Sequence, residues 1–323
     1  MSDLINHYYC GEEAIKLLDP EIKKIILNNM NLFNIGTQGP DFFLYQDIIP
    51  WRKHSGYSKL GGMLHSYEPN LLFESMFEYI QSIEDKEIKN KAIAYIMGYI
   101  CHHSLDYISH PYIYYFSGQN SNLHKEFEKN LDVLNSALMS KVAAIDFSFS
   151  EVFDLTESEI SIVSEINLYI INKLLHILLP HNAISLCLND FNYLIKLFPD
   201  KKGIKQKIFK PLESLLGQPF AITKALIHKE IIDKDDYLNL THTIWIHPCN
   251  ENITSAESYP DLFNKSIKES ASQINELYLA IKNNSIISLP EIIKNSSFET
   301  GEVYKYINHI NTTVMKYSNV KNF

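Results

Sequence analysis

The chain has 323 residues, 46% of them apolar and 21% charged, the composition of a globular protein with enough length to bury a core unaided. Its 11 glycines and 12 prolines are too few for a turn-rich β-sandwich or a Gly-looped nucleotide fold. A formal charge of −9, with no basic run longer than Lys201-Lys202, excludes a long nucleic acid as the expected partner.

Four cysteines, Cys10, Cys101, Cys187 and Cys249, are scattered without C-x-x-C spacing. They read as thiols of a reducing compartment, not as a zinc ribbon or a disulfide framework. The start carries no basic region followed by an apolar run, and no stretch approaches the roughly 18 uncharged apolar residues of a membrane span. The expectation is a soluble, cytoplasmic protein.

In chain order, Asp19-Pro20-Glu21 reads as an N-cap with proline at the first helical position, opening a helix over 22–32 that stops before Gly36. Glycines and prolines punctuate 36–65, which reads as a long irregular and therefore functional loop. Helical patterns follow over 69–83, over 85–116 with Asp85 as cap, and over 121–142. Thr156-x-x-Glu159 is a capping box for a helix running to Pro180. Further helices fit 181–198, 204–216, 219–231 and 258–283, and Ser288-x-x-Glu291 is a second capping box. Little alternates with period two and no repeat is visible, so the fold class is all-α.

The chemistry concentrates in the helix over 85–116. His102, Asp106 and His110 follow one another at four-residue steps. Each step drifts about 40° around a helix, so all three project from one face. Their neighbours Ala92, Ile93, Ile96, Ile100 and Ile108 mark that helix as buried. Two imidazoles and a carboxylate are costly there unless something satisfies them, and a divalent metal does. His124 and Glu128 repeat the step at the start of the next helix, so two adjacent antiparallel helices offer five ligands, more than one tetrahedral zinc takes. His103 is about 100° out of phase and packs or faces water.

This pattern resembles the zinc-dependent phospholipase C family, which includes secreted bacterial toxins. The resemblance lies in Asn6-His7, Gly39-Pro40-Asp41, His65 within Gly-Gly-Met-Leu-His, Gly98-x-x-x-His102-x-x-x-Asp106-x-x-x-His110-Pro111 and His124-x-x-x-Glu128. It covers roughly the first half of the chain. The resemblance implies an all-helical bundle of that type around a trinuclear zinc cluster, with two or three ions per chain. Asp41, His65, His102 and Asp106 would surround one ion, with Asp106 reaching to a second. His110, His124 and Glu128 would hold another, and His7 with the chain's amino terminus would complete the third. Two departures stand out. The secreted members present a tryptophan as the mature first residue, whereas Met1 and Ser2 stand here, and the three residues between Asp106 and His110 are fewer than in those toxins.

Away from the motif the residues alone leave alternatives. Asp41 after Gly-Pro is either a turn residue or a ligand and catalytic base. His54 reads as a solvated loop residue. Trp245-x-x-Pro248 is similar to a segment of cytoplasmic family members, and a packed tryptophan explains it as well; it is assigned no metal. His176, His181, His228 and His309 are read as structural. Phe42, Phe43 and Tyr45 read as core aromatics in preference to an apolar rim for lipid.

Residues 1–175 are expected to form the metal-binding domain, and 176–323 a helical region that completes it or stands beside it. The function implied is a zinc-dependent phosphodiesterase, phospholipase C-like, acting on a phospholipid or small phosphodiester. Two rivals are a zinc nuclease-like enzyme on nucleotides and a non-catalytic helical metal-binding or interaction module. Oligomeric state is not legible.

Overall fold

A computed structural model of the chain describes residues 4–48, 54–118, 120–139, 141–215, 223, 226–227, 235–284 and 292–303. Its centre is the helix that carries the motif, and the other elements are arranged around it.

Among the described residues the helices are α1 (Leu4–Ile15), α2 (Pro20–Leu27), α3 (Met30–Gly36), α4 (Ser58–His65), α5 (Pro69–Ser82), α6 (Lys86–Ser117), α7 (Ser121–Leu138), α8 (Phe149–Val152), α9 (Glu157–Leu175), α10 (Ala183–Ile195), α11 (Ile204–Leu215) and α12 (Tyr259–Asn283). Short 3-10 helices cover Asp41–Tyr45 and Ala144–Asp146. The only paired strands described are β1 (Trp245–Ile246) and β2 (Thr254–Ser255), antiparallel, with Trp245 opposite Ser255. The fold is all-α, and no described helix is long and apolar enough to cross a membrane.

α6 is buried from Ala92 almost without interruption to Ser117, so it is enclosed on all sides, and the polar face carrying His102, Asp106 and His110 is buried with the rest. Asp85 caps it by accepting the Ile88 amide at 2.9 Å. α3 crosses α6 at unusually short range. A Cβ on Gly36 would lie 2.1 Å from the Tyr95 carbonyl oxygen, and one on Gly98 2.1 Å from that of Phe33. Two backbones meet there with no side chain between them. α12 lies along α6 and α1, α7 packs on α6 and α1, α9 packs on α5 and α10, and α10 covers the turn Asp41–Tyr45. One hydrophobic cluster runs from Leu4 to Phe298 through all of these helices except α11.

Several expectations are corrected. The helix read over 22–32 is two: α2 ends at Leu27, and α3 starts again at Met30 and runs to Gly36. Asp19 precedes Pro20 at the helix start but makes no side-chain cap. α1 shows no apolar helical period in the sequence, because its polar residues Asn6 and His7 sit on the buried face. The segment 36–65 is not loop throughout, since Asp41–Tyr45 and α4 are helical. α9 carries the expected Thr156/Glu159 capping box but stops at Leu175, where His176 turns left-handed at φ 56°, well before Pro180. His176, which ends α9, and His181 are both exposed and stand outside the ligand groups. Most of 219–231, the Ser288–Glu291 box, His228 and His309 lie outside the described residues. Trp245 is packed, its indole N–H donating to the Glu257 carbonyl at 3.0 Å.

Candidate metal centre

The face of α6 that carries His102, Asp106 and His110 is the floor of the centre. Its walls come from α1, the turn after Gly39-Pro40, α4 and α7, each delivering one or two side chains. Gly39 is left-handed at φ 48°, and a Cβ there would lie 2.2 Å from the His102 ring. That glycine lets the backbone pass close enough to bring Asp41 to the site. α1 is held by Asp132, one turn beyond Glu128 on α7, whose carboxylate accepts the amides of Ile5 at 3.3 Å and Asn6 at 2.8 Å. A carboxylate at a helix N-terminus meets unsatisfied N–H groups and the positive end of the dipole. It fixes the turn from which His7 projects.

The eight sequence-predicted residues come together as three groups whose ligand atoms lie within 4.8 Å of one another: His7, His102 and Asp106; Asp41, His65 and His102; His110, His124 and Glu128. Asp106 links them. Its Oδ1 lies 3.2 Å from His7 Nε2 and 3.9 Å from His110 Nε2, while Oδ2 lies 3.1 Å from His102 Nε2 and 3.7 Å from His65 Nε2. His65 Nε2 is 3.2 Å from Asp41 Oδ1, and Glu128 Oε1 is 2.9 Å from His124 Nε2 and 3.5 Å from His110 Nε2. All eight are largely buried, His124 being the least so.

Proton accounting decides what this arrangement is for. His65 Nδ1 lies 2.8 Å from the Gly61 carbonyl, and His110 Nδ1 lies 2.5 Å from the Phe298 carbonyl. A carbonyl oxygen only accepts, so both rings donate from Nδ1, and in the neutral form each turns a bare lone pair at Nε2 toward the centre. That lone pair faces carboxylate oxygens, which are acceptors too. His65 and His102 even point Nε2 at Nε2 across 3.3 Å. Asp106 Oδ2 is buried and accepts no aligned hydrogen bond. A carboxylate ringed by imidazole nitrogens, two of them turned in as acceptors by their Nδ1 bonds, is satisfied by a cation, and imidazole nitrogen with carboxylate oxygen is a zinc donor set. The residues therefore fit the metal that the motif implies.

Electrostatics agree. Burial works against both charged carboxyls, yet the imidazoles around Asp106 and the pair His124 and His110 beside Glu128 hold both well below the usual carboxylate range. Burial also opposes a charged His110, but Asp106 and Glu128 outweigh it and, with no metal, push it up to about 9. His7 moves down through burial and the neighbouring His102, on which its ring stacks with centroids 4.2 Å apart. The field is that of a site built to hold positive charge.

The sequence missed the outer layer. Phe298 is fully buried, with its ring against His65, His102 and His103 at centroid distances of 5.4, 6.0 and 4.6 Å. The segment 292–303 that bears it also accepts from His103 Nε2 at the Ser296 carbonyl, 2.8 Å away. His103 is thus buried and outside the ligand set, and burial lowers it to about 4. Pro111 gives a partial signal for this strap. A proline leaves the carbonyl four residues back without its helical donor, and Gly301, at φ 67°, lies so close to the Tyr107 carbonyl that a Cβ would come within 2.4 Å. Phe42, Phe43 and Tyr45 are buried, so they form core and no lipid rim. His54 is exposed, 3.9 Å from Asp47.

Comparison with known proteins returns a match of residues 6–174 to the family described as zinc dependent phospholipase C. No curated protein and no solved structure matches. The matched stretch runs from Asn6 to near the end of α9 and contains all eight residues, with the strap and α10–α12 beyond it. On this match over more than half its length, the chain belongs to the zinc-dependent phospholipase C family.

Proposed function

We propose that the chain is a phospholipase C-like phosphodiesterase that cleaves a phospholipid or a related small phosphodiester with two or three zinc ions. The carrying observation is the convergence of four imidazole Nε2 atoms on the carboxylate of Asp106, with two of the rings donating outward from Nδ1, a donor set that suits zinc. Asp41, His65, His102 and Asp106 would hold one ion, and Asp106 would also reach a second. His110, His124 and Glu128 would hold another, and His7 with the amino terminus, which lies outside the described residues, would complete a third.

Bound zinc supplies Lewis-acid stabilisation of phosphoryl charge and lowers the pKa of water. The protein's own part is positional. Asp41, held beside His65 on its 3-10 turn, accepts the proton of the attacking water. The Gly61 and Phe298 carbonyls lock the ring orientations of His65 and His110, so the centre does not rearrange during the displacement. The bond between phosphorus and the alcohol oxygen breaks, and water contributes hydroxyl to phosphorus and a proton to the alcohol. We further propose that 1–175 and 176–323 work as one domain, because the strap from the second region closes the site in the first. The described cysteines, none in a disulfide, support a cytoplasmic protein.

Elemental analysis of protein purified without chelator tests the metal, and a phosphocholine ester set against a short oligonucleotide tests the substrate. Two or three zinc ions, with the ester cleaved and Asp41→Asn slower by about a hundredfold or more, are expected. No zinc after reconstitution overturns the enzyme reading in favour of a non-catalytic module. Cleavage of the oligonucleotide alone transfers the protein to the nucleases.

A further inference from the structure

α11 differs from every other long helix in leaving its apolar face outside. Ile204, Ile208, Leu212 and Leu215 recur at helical spacing, fall within about 80° of one another around the axis, and are 52, 58, 39 and 83% exposed. The adjacent face, Lys205, Phe209 and Glu213, is the one turned inward. Glu213 is buried and accepts from Thr223, and Lys205 donates to the carbonyls of Leu197 and Pro199 at 2.8 Å. Asp200 caps the start, accepting the amides of Lys205 and Gln206 at 3.1 and 2.9 Å. The helix is thus clamped along one side while its greasiest side faces water.

The charge on this element is opposite to that of the whole chain. Residues 201–215 hold five lysines and one glutamate in a protein of net charge −9. Lys202, Lys207 and Lys210 are exposed. The sixth of a turn between Lys207 and the apolar edge lets its stem lie along the stripe while the ammonium reaches outward. An apolar stripe flanked by lysines is the pattern of a helix lying in a membrane interface. The mount of α11 is also tied to the centre: Phe198 packs on Tyr45, at 5.9 Å between centroids, in the same turn that carries Asp41.

We propose that α11 docks the protein on an anionic lipid bilayer, with Ile204, Ile208, Leu212 and Leu215 entering the acyl boundary and Lys202, Lys207 and Lys210 meeting acidic headgroups. This goes beyond the phospholipase reading, which names no surface that meets a lipid, and it is tested apart from catalysis.

Co-sedimentation of the full chain is measured with vesicles of phosphatidylcholine alone and of phosphatidylcholine mixed with phosphatidylglycerol. Ester hydrolysis is assayed separately, so binding without cleavage, or cleavage without binding, separates the two inferences. The wild type should pellet with the mixed vesicles, less with phosphatidylcholine alone, and less as salt rises. Lys207→Gln with Lys210→Gln should weaken binding to mixed vesicles by about fivefold per lysine. Ile208→Ser with Leu212→Ser should abolish pelleting with both, while zinc content and melting temperature stay unchanged, because these side chains are exposed. A wild type left in the supernatant with mixed vesicles, or variants that pellet like it, overturns the proposal. A dimer in sedimentation velocity that Ile208→Ser with Leu212→Ser dissolves, without vesicle binding, assigns the face to a second copy and overturns it too.

Discussion

Asp106 has two oxygens and four imidazoles around them, from α1, α4 and α6. No other side chain of the centre belongs to so many neighbours, so Asp106→Ala should lose more than one zinc per chain by elemental analysis, whereas His124→Ala should lose about one. His103 tests the helical phase. It is one residue from His102 yet bonded to the Ser296 carbonyl and packed on Phe298. His103→Ala should therefore cost about 2–3 kcal/mol in denaturant melts by leaving a cavity and an unpaired carbonyl, with the zinc count kept. Zinc loss equal to that of His102→Ala would show that the phase is wrong. The cysteines give a pH-dependent expectation. Burial raises Cys101 well above the ordinary thiol value, Cys187 to about 12 and Cys249 to about 11. Raised values mean less thiolate, the reactive form, at neutral and mildly basic pH. Native protein should react slowly with a thiol reagent, speeding up about tenfold per pH unit, and fully only on unfolding.

At the scale of elements, the helices written most plainly in the sequence are those whose ends carry chemical signals. Asp85 and Thr156 cap as read, because a cap depends only on its next three or four residues. Elements were misread where burial serves function instead of the apolar pattern. α1 hides Asn6 and His7, and α4 contains Gly61-Gly62, which reads as loop punctuation. In the fold, Gly61 is there for space: a Cβ would come 2.7 Å from Leu44 and 3.1 Å from the Pro40 carbonyl. The crossing of α3 and α6 makes the same point and is testable. Gly98→Ala would force backbone apart from backbone, where no side chain can yield. We expect a loss of about 3 kcal/mol or more, read as a fall in melting temperature, with zinc lost as His102 moves with α6.

Over the whole molecule, the metal centre is closed by parts far from the motif. The strap 292–303 orders His110 and His103 through backbone carbonyls and covers three imidazoles with Phe298. Phe298→Ala should destabilise by about 3–5 kcal/mol and make zinc exchange faster with a chelator, while Phe298→Leu, which refills much of the space, should restore most of both. Nothing local marks Phe298 for this role, since a carbonyl acceptor is the same on every residue and a buried phenylalanine is common. The ligand ladder on α6 and the step His124 to Glu128 were legible because helical periodicity alone puts residues four apart on one face. Composition and the helical class were likewise determined by the sequence itself, whereas His7, Asp41 and His65 were legible only through the resemblance to the family. Tertiary structure alone decided which ring nitrogens face inward, that Phe298 closes the centre, and that α11 wears its apolar stripe outside. Those depend on contacts between residues distant in the chain, and hydrogen-bond direction, burial and backbone approach exist only once the chain has brought such residues together.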